Sequence, residues 1–383
     1  MHFQLTEDLT MIRDMAASFA ASELAPNAEH WDREKYLDRE VFRKAAELGF
    51  LGIYIPEAEG GTGLSRLASA MVFEQLSAGD VSHTAMMTIH NMATWMIATY
   101  GSEELKARYV PKLVSGELIA SYCLTEPSSG SDAASLATKA VRSKDSGGDH
   151  YVLNGSKQFI SGAGWSDVYV TMARTSDDGA RGVSCFVIEK DMPGVSFGAE
   201  ERKMGWNAQP TAQVVFEDAR VPVENRVGAE GEGFRFAMSG LDGGRINIGA
   251  CSLGGAKAAL DLALGYAKER KQFGQPIADF QNTQFRLADM ATELEASQLM
   301  IYSAADALDH KHPDASKKCA MAKRFATDLC SKIANDALQV HGGYGYLADY
   351  QVERIVRDLR VHQILEGTND IMRVIISRHM LRQ

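Results

Sequence analysis

The chain has 383 residues, of which 45% are hydrophobic and 23% are charged, and its formal net charge is −10. This length suggests about two or three structural units, and the composition excludes a disordered or fibrous protein. The acidic balance, without any Lys/Arg-rich block, argues against nucleic acid as a partner. No apolar run reaches the roughly 18 residues that a membrane-spanning helix needs, so we predict no membrane span.

The cysteines are odd in number and show no CxxC spacing. They are Cys123, Cys185, Cys251, Cys319 and Cys330. This usage argues against a disulfide framework or a metal site and fits a reducing compartment. Because the start MHFQLTEDLT is neither a signal peptide nor an Arg-rich transit peptide, we expect a cytoplasmic bacterial protein. A mitochondrial-matrix protein whose leader has been removed would also fit.

Apolar residues at helical spacing dominate the first third of the chain. They form the sets Leu5, Leu9, Ile12, Phe19 and Val41, Phe42, Ala45, Leu48. Residues 60–63, Gly-Gly-Thr-Gly, break this part into two halves. The spacing predicts an N-terminal α-helical domain over residues 1–117.

Short apolar runs bounded by turn residues follow, from Ile119 to about Val223. The runs cover residues 149–153, 168–172, 183–188 and 214–216. Asn154-Gly155 predicts a hairpin turn after the first run, and Pro193-Gly194 predicts another turn. We therefore predict a middle antiparallel β-domain over residues 118–226. A parallel nucleotide-binding sheet is not supported, because no GxGxxG follows a strand.

Long helices are predicted again from Gly231 onward. Leu287, Leu294, Ile301 and Leu308 recur every seven residues, which suits a helix buried in a bundle. The next helix starts after Pro313 and carries Met321, Phe325 and Leu329 on one face. With a last helix at 367–382, we predict a C-terminal four-helix bundle over 227–383. The overall fold class is then α+β, with helices segregated from the sheet.

Two loops of the predicted β-domain concentrate small hydrogen-bonding groups. Residues 122–132 carry hydroxyls at Thr125, Ser128, Ser129 and Ser131 around Gly130, which suits a polar ring edge or a phosphate. Residues 159–164, Phe-Ile-Ser-Gly-Ala-Gly, can set the Ser161 hydroxyl against a planar cofactor. Taken alone, the first loop is better explained as an ordinary Ser/Gly-rich turn, and the second is equally a strand end with a glycine turn.

Three segments of the C-terminal part can face an anionic ligand. Residues 339–346 hold three glycines, and glycines let a backbone approach a pyrophosphate closely, although a helix C-cap explains one of them. Arg270 ends a long helix, where it either reaches a phosphate or complements the helix dipole. The Asp242-Gly-Gly-Arg245 sequence interrupts a helical stretch, and Arg245 pairs with a ligand or with Asp242.

Glu366 is the candidate base. It follows the apolar pair Ile364-Leu365 and precedes a glycine and a helix. In apolar surroundings the pKa of a carboxyl group rises, which makes it a useful base for a carbon acid near neutral pH. An exposed glutamate at a helix start is the alternative interpretation.

Together these segments resemble the acyl-CoA dehydrogenase family along nearly the whole chain. The motifs are YCLTEP at 122–127 with GSD at 130–132, NGSK at 154–157, RKQFG at 270–274, QVHGGYG at 339–345 and LEGTN at 365–369. Each motif is weak alone, but their combination in this order is specific. The resemblance is strongest to members that act on isobutyryl-CoA in valine breakdown. It rests on residues 89–92, 159–164, 205–207, 243–247 and 360–366.

The resemblance implies FAD, a homotetramer built as a dimer of dimers, and an electron-transfer flavoprotein as electron acceptor. Glu366 would take the α-proton of the acyl-CoA while flavin N5 takes the β-hydride. The implied FAD contacts are Tyr122, Cys123, Leu124, Thr125, Gly130, Ser131, Phe159, Ile160, Ser161, Arg270, Phe273, Phe280, Gln281, Gln339, Val340, His341, Gly342, Gly343, Thr368, Asn369 and Asp370. The implied acyl-CoA contacts are Ser131, Asp242, Gly243, Gly244, Arg245 and Arg378.

Part of this implied site belongs to a neighbouring subunit. Arg270, Phe280, Gln281 and residues 339–343 would reach the FAD of that subunit. Gly244 stands where some relatives keep the base, and a glycine cannot act as one, which strengthens the assignment of Glu366.

Three other functions stay open on the sequence. A short-chain or 2-methyl-branched-chain acyl-CoA dehydrogenase would use the same residues. An acyl-CoA oxidase would pass electrons to oxygen, although such relatives usually carry an extra C-terminal domain. A non-catalytic acyl-CoA-binding or scaffold protein is disfavoured by the intact Glu366 and glycine loops.

Overall fold

The structure is a computed structural model that describes residues 5–146 and 148–381. Its N-terminal part contains α1 to α6, at Glu7–Phe19, Ala28–Glu34, Arg39–Glu47, Arg66–Gly79, Val81–Tyr100 and Glu103–Val114. Thr6, Asp38, Ser65, Asp80 and Ser102 begin five of these helices, because each side chain accepts a first-turn backbone N–H. The break predicted at 60–63 falls in the loop between α3 and α4.

The middle part is a twisted eight-stranded sheet in the described residues. Strands β1 to β8 are Ala120–Cys123, Lys139–Asp145, Gly148–Ser161, Val168–Arg174, Val183–Glu189, Val195–Phe197, Thr211–Pro222 and Arg226–Val227. Their order is β6-β7-β3-β2-β4-β5-β8, with β1 beside β4. Most neighbours are antiparallel, as predicted, but β4 pairs in parallel with β1 and with β2. The β2–β3 hairpin between β1 and β4 provides the long connection that a parallel pair needs.

The hairpin predicted at Asn154-Gly155 is wrong. Both residues lie inside β3, where the register against β7 shifts between Leu153 and Gly155, as at a β-bulge. Gly155 has φ +146° and passes so close to Thr138 that an added Cβ would lie 2.6 Å from the Thr138 Oγ1. The dipeptide therefore serves a bulge, while the predicted turn at Gly194, with φ +85°, is present.

The C-terminal part is dominated by three long helices. In chain order it contains α7 at Gly233–Glu269, β9 at Lys271–Gln272, β10 at Gln275–Pro276, α8 at Gln281–Asp309, α9 at Ala315–His341, α10 at Val352–Arg360 and α11 at Asn369–Leu381. Helix α9 packs against α7 and α8, and the shorter α10 and α11 pack against α9. The predicted four-helix bundle is thus three long helices with two short ones, and α4 of the N-terminal part also packs on α7.

Two details of the helix predictions are corrected. The Asp242-Gly-Gly-Arg245 sequence does not interrupt a helix, because α7 runs through it for 37 residues. On α9 the face of Met321, Phe325 and Leu329 is not the buried one. The buried face carries small residues such as Cys319, Ala326 and Cys330, which let α9 approach α7 closely.

The heptad residues of α8 face the core as predicted. Ile301 is buried, and Leu287, Leu294 and Leu308 pack against the same cluster from partly buried positions. All five cysteines are buried and free. In residues 5–146 and 148–381, none of the helices combines the length and apolarity that a bilayer crossing requires. The domain boundaries at 117/118 and 226/227 stay predictions.

Candidate active site

A tight left-handed turn presents Glu366. The residue has φ +55° and the following Gly367 has φ +85°. The Thr368 hydroxyl accepts the N–H of Ile371 at 3.2 Å, which starts α11 directly after the turn. A non-glycine residue in this conformation costs about 1 kcal/mol or more, so the surrounding contacts must hold it there.

The carboxyl group of Glu366 lies against the backbone of α7. A Cβ added to Gly244 would come within 2.5 Å of the Glu366 Oε2, so only glycine leaves room for the acid at this point. Within the described residues, Oε2 is buried and has no hydrogen-bond partner, although the residue as a whole is only half-buried. Burial raises the pKa of Glu366 to about 7, against the opposing positive charges of Arg245 and Lys323.

Arg245 is neutralised within its own helix. Its Nη1 donates to the Asp242 Oδ1 at 2.5 Å, and its Nε lies 3.4 Å from the Glu366 carbonyl oxygen. Ser316 also donates to Asp242, at 3.0 Å. Of the two interpretations of Arg245, pairing with Asp242 is therefore the one seen, and the pair lies beside the turn of the candidate base.

Lys323 lies beneath the same turn. Its Nζ donates to the Gly367 carbonyl at 2.8 Å and to the Asn369 Oδ1 at 2.8 Å, and the residue is fully buried. Burial lowers the pKa of Lys323 to about 7, and the negative charge of Glu366 opposes this shift. Two ionisable groups of opposite sign, both with pKa values near neutrality, thus stand on either side of one turn.

A neighbouring histidine is held neutral. The Nδ1 of His362 hydrogen-bonds the Ser252 hydroxyl at 2.7 Å, while its Nε2 is buried without a partner in the described residues. Burial lowers the pKa of His362 to about 3, and the charge of Lys323 adds to the shift. His362 therefore adds no positive charge near Glu366 at neutral pH.

An aromatic and cationic group lies along α7, next to the candidate base. The Arg66 guanidinium stacks on the ring of Tyr54 at 3.6 Å and lies 5.1 Å from the ring of Trp95. An added Cβ at Gly243 would be 2.6 Å from the Arg66 Nη1. The Asn247 side chain donates to the Tyr54 hydroxyl at 3.3 Å, one helical turn beyond Gly244. Bulky side chains therefore begin directly beside Glu366.

The hydroxyl-rich loop of the sheet is held by a buried ion pair. Lys157 Nζ contacts the Glu126 Oε1 at 2.7 Å, and both side chains are almost completely buried. Glu126 also accepts the N–H groups of Ala137 and Thr138, at 2.6 and 3.0 Å. Breaking such a pair leaves an uncompensated buried charge, so the pair fixes the backbone that follows Thr125.

The predicted residues of this loop divide into buried and open positions. Cys123 and Leu124 are buried, and the Tyr122 hydroxyl is buried without a partner within the described residues. The charge of Glu366 contributes to the raised pKa of Tyr122, behind the larger effect of burial. Gly130 and Ser131 are exposed. The charge of Glu366 thus acts on the Tyr122 hydroxyl of this loop.

The second predicted loop begins with a strained aromatic residue. Phe159 has φ +59° and is 63% exposed, whereas Ile160 is buried. The Ser161 carbonyl accepts the Ser121 hydroxyl at 2.6 Å, which ties this loop to β1. The backbone of Gln158 donates to the Thr125 carbonyl at 2.8 Å, so the two predicted loops are adjacent.

Comparisons with known proteins identify the family. Three family models match: acyl-CoA dehydrogenase, N-terminal domain, over residues 6–117; middle domain, over 121–219; and C-terminal domain, over 231–381. The chain belongs to the acyl-CoA dehydrogenase family. The resemblance inferred from the motifs is confirmed.

Individual relatives are similar over almost the full length of this dehydrogenase. The mitochondrial isobutyryl-CoA dehydrogenase of Dictyostelium discoideum is 57% identical, over 98% of this chain and 90% of the relative. The mitochondrial isobutyryl-CoA dehydrogenase of Bos taurus is 56% identical, over 99% and 90%. Among solved structures, the FAD complex of PigA superposes with a TM-score of 0.94 at 34% identity, over 100% of both chains.

FAD is the cofactor of this dehydrogenase, and a cleft on the C-terminal part fits one end of such a ligand. The cleft has a volume of about 410 Å³. It is lined by Tyr266, Arg270, Gln272, Ile277, Val340, His341, Gly342, Gly343, Tyr344 and Leu347. Apart from the chain neighbours, no atom of residues 5–146 and 148–381 lies within 4 Å of a Cβ added to Gly342 or Gly343, so the backbone there is open to a pyrophosphate. Arg270, 5.3 Å from the Tyr344 ring, provides a cation.

The cleft is far from Glu366. Lys323, which lies under the Glu366 turn, and His341, which lines the cleft, are both on α9. Their separation of 18 residues corresponds to about 27 Å at 1.5 Å per residue. His341 is held by the Ala337 carbonyl at 2.8 Å and stacks on Tyr266 at 4.5 Å. The predicted FAD residues of one chain therefore form two separate groups.

Several predicted residues lie outside both groups. Phe273 is 96% exposed on the β9–β10 hairpin, 6.1 Å from the ring of Phe280, and Gln281 and Gln339 are exposed. Arg378 is exposed in the last turn of α11. Asp370 is exposed next to the buried Asn369. Among the described residues, none of these exposed side chains forms a hydrogen bond or an ion pair with Glu366.

The sequence missed Tyr54, Arg66 and Lys323. One of them had a visible signal, because Lys323 falls on the helical face of Cys319, Ala326 and Cys330, where a charged residue is unexpected. The others had none, since they come from separate helices and loops and meet only around α7.

Proposed function

We propose that this enzyme catalyses the FAD-dependent α,β-dehydrogenation of a short branched acyl-CoA, with isobutyryl-CoA to methacrylyl-CoA in valine breakdown as the best candidate. The observation that carries the proposal is the Oε2 of Glu366, which is buried, has no hydrogen-bond partner in the described residues and lies against Gly244. The relatives named isobutyryl-CoA dehydrogenase, at 57% and 56% identity, support the branched substrate.

Glu366 is the proposed catalytic base. The α-hydrogen of a thioester is weakly acidic, and a base whose pKa lies near the working pH combines a useful ionised fraction with enough basicity. Its pKa of about 7 meets that condition. The proton moves from the substrate α-carbon to the Glu366 carboxylate, and the backbone N–H of Glu366 donates to the thioester oxygen, where negative charge develops.

FAD, when bound, accepts the hydride that leaves the β-carbon, so that a carbon–carbon double bond remains in the product. The residues proposed to hold FAD within one chain are those of the Tyr122–Ser131 and Phe159–Ser161 loops, with Thr368–Asp370. The dry surroundings of Oε2 exclude water from the base while substrate is bound. An electron-transfer flavoprotein is the proposed acceptor of the electrons.

A second subunit is part of the proposed site. Since about 27 Å of α9 separates the Glu366 turn from the cleft at His341, we propose that the cleft serves the FAD of a neighbouring subunit. The exposed Phe273 and Tyr344 beside it support this arrangement. A homotetramer formed as a dimer of dimers is the proposed assembly, and Arg270, Phe280 and Gln281 act across the subunit boundary.

Bulky residues next to the base support a short acyl chain. Tyr54 stacks on Arg66 and accepts a hydrogen bond from Asn247, which lies one helical turn along α7 from Gly244. We propose that Tyr54, Arg66 and Trp95 bound the acyl end of the pocket, while Asp242–Arg245, Ser131 and Arg378 contact the CoA portion. One or two methylenes change binding by about 1–3 kcal/mol, so these side chains are large enough to set the preference.

The decisive experiment is anaerobic flavin reduction by isobutyryl-CoA in the Glu366→Gln variant. We expect the variant to keep FAD and to bind acyl-CoA, and to lose about 10²- to 10⁴-fold in the rate of flavin bleaching. Glu103→Gln, at a glutamate whose side chain is 83% exposed, is the matched control and keeps the wild-type rate. Rapid bleaching in Glu366→Gln would show that the base lies elsewhere.

A substrate panel tests the finer assignment. Initial rates of flavin reduction with isobutyryl-, butyryl- and 2-methylbutyryl-CoA give the preference directly. We expect isobutyryl-CoA to have the highest kcat/KM. A higher value for either of the other two would assign the enzyme to the short-chain or the 2-methyl-branched-chain group, without changing the role of Glu366.

A further inference from the structure

Lys323 is a buried lysine that has no direct anionic partner among the described residues. Its side chain is fully buried on α9, among small residues. In the part of the chain that the structure describes, it forms no ion pair with a carboxylate, although buried lysines are normally paired. Unlike the buried Lys157, which pairs with Glu126, Lys323 thus places an ammonium group without a carboxylate partner in the described residues directly under the Glu366 turn.

The contacts of Lys323 converge on that turn. Nζ donates to the carbonyl of Gly367, the residue after Glu366, and to the Asn369 side chain, each at 2.8 Å. The Asn369 amide in turn donates to Asp328 at 2.7 Å and to the Thr327 hydroxyl at 2.9 Å. The Lys323 ammonium group therefore holds a turn of two successive left-handed residues, Glu366 with φ +55° and Gly367 with φ +85°.

We propose that Lys323 is a positioning residue for proton abstraction, because its ammonium group fastens the turn that carries Glu366 and keeps the neighbouring carboxylate ionised in its dry pocket. This inference rests on the proposed role of Glu366 as the base. Lys323 does not touch the substrate and does not relay the proton, since no hydrogen bond joins its Nζ to the carboxylate in the described residues.

The charges around Lys323 support the electrostatic part of the proposal. Glu366 on the turn and Asp328 on α9 favour its charged form, while Arg245 on α7 disfavours it. His362 on the segment after α10 is neutral, because its pKa is lowered to about 3. Lys323 follows Arg245 among the cations that lower the pKa of Glu366 against burial. Asp242 already neutralises Arg245 at 2.5 Å. The positive charge of Lys323 is therefore less compensated than that of Arg245.

The test is the pH profile of anaerobic flavin reduction by isobutyryl-CoA in the holoenzyme of Lys323→Gln. Glutamine keeps a donor for the turn and removes the charge. We expect the acidic limb of the profile to move upward by about 1–3 pH units, the effect of losing one nearby opposite charge. The rate at neutral pH then falls about tenfold or more, and it recovers as the pH is raised. Lys323→Arg, which keeps the charge, keeps the limb close to that of the wild type.

A second readout does not depend on turnover. The infrared band of the protonated Glu366 carboxyl group, taken as the difference from Glu366→Gln, gives the pKa of this group in the resting holoenzyme. We expect this pKa to rise in Lys323→Gln by the same amount as the kinetic limb. Lys323→Met removes both charge and donor and is the second variant if the glutamine variant does not fold.

The control is Lys332→Gln, at a lysine on the same helix whose side chain is 50% exposed and pairs with Glu293. An unchanged limb and carboxyl pKa in Lys323→Gln would overturn the proposal, even if the variant were slower at every pH. If instead Glu366→Gln itself reduces flavin rapidly, the base assignment fails, and the inference about Lys323 fails with it. The two failures are thereby distinguished.

Discussion

The Glu366 turn and the cleft between Arg270 and His341 differ in how completely one chain builds them. At the turn, the carboxyl oxygen, the Tyr122 hydroxyl and the His362 Nε2 are all buried, and the pKa of Glu366 is raised to about 7 by burial. At the cleft, Gly342 and Gly343 face open space. Phe273 and Tyr346 nearby are 96% and 83% exposed.

The difference shows how the two regions gain their properties. At the turn, the raised pKa of Glu366 comes from burial, and α7, α9 and the residues packed on them provide that burial. The cleft is concave and contains a cation, but it is open to solvent. Large exposed aromatic residues beside it mark a surface that another molecule covers. Changes at the turn should therefore alter chemistry, whereas changes at the cleft should alter cofactor retention and assembly.

The largest effect is expected for Gly244→Ala. The new Cβ would lie 2.5 Å from the Glu366 Oε2 and displace the carboxylate. A misplacement of about 1 Å in a reacting group costs about 10²-fold in rate, so flavin reduction should fall by that factor. Stopped-flow reduction under anaerobic conditions measures it. Gly265→Ala is the control, because a Cβ added to this glycine of α7 meets no atom of the described residues within 4 Å beyond the backbone of its own helix. An unaffected rate in Gly244→Ala would mean that the carboxylate does not work from this position.

Arg270→Gln tests the other region. Loss of a charge-assisted hydrogen bond to a phosphate costs about 1.5–3 kcal/mol, so the Kd for FAD should rise about 10- to 100-fold. Ultrafiltration of the protein at graded FAD concentrations measures the retained cofactor. At saturating FAD the rate of flavin reduction should stay near that of the wild type. Lys268→Gln, at an exposed cation two residues before Arg270 in the last turn of α7, should leave the Kd unchanged. If Arg270→Gln reduced flavin more slowly than the wild type at saturating FAD, the cleft would also affect the chemistry at Glu366. This result would contradict the proposed division of roles between the two regions.

Tyr54→Ala sharpens the assignment of the acyl pocket. Removing the ring that lies between Arg66 and Asn247 opens space beyond Gly244. We expect kcat/KM for a linear acyl-CoA with two more carbons to rise relative to isobutyryl-CoA by about tenfold, within the range that such pockets discriminate. Tyr36→Ala, at a tyrosine that is 50% exposed, leaves the ratio unchanged. A constant ratio in Tyr54→Ala would place the end of the pocket elsewhere.

The smallest effect concerns stability. The folded-state pKa of Glu366 is raised, so keeping this carboxyl group ionised in the fold costs free energy once the pH exceeds its unfolded pKa. The cost grows as the pH rises to about 7. Glu366→Gln should therefore increase the free energy of unfolding by about 1–3 kcal/mol at pH 8 and by less at pH 5. Thermal melts of the holoenzyme at both pH values measure it. A larger gain at pH 5 would contradict the burial of the charge.

The sequence by itself determined the family, the order of helices, sheet and helices, and the motifs around both regions. It did so because apolar periodicity and glycine-bearing turns are local properties of the chain. Glu366 was also found from its local setting between Leu365 and Gly367. The hairpin predicted at Asn154-Gly155 was wrong because the outcome there depends on contacts distant in the chain. Strand β3 continues across the dipeptide, and the close approach of Thr138 makes it a bulge.

Only the tertiary structure decided what surrounds Glu366. Gly244 and Lys323 lie 122 and 43 positions away in the chain, and they meet the Glu366 turn only after α7 and α9 pack together. The pKa of the acid depends on that packing, because burial and nearby charge are set by neighbours in space. The same is true of Tyr54, Arg66 and Asn247, whose separate segments converge on one face of α7.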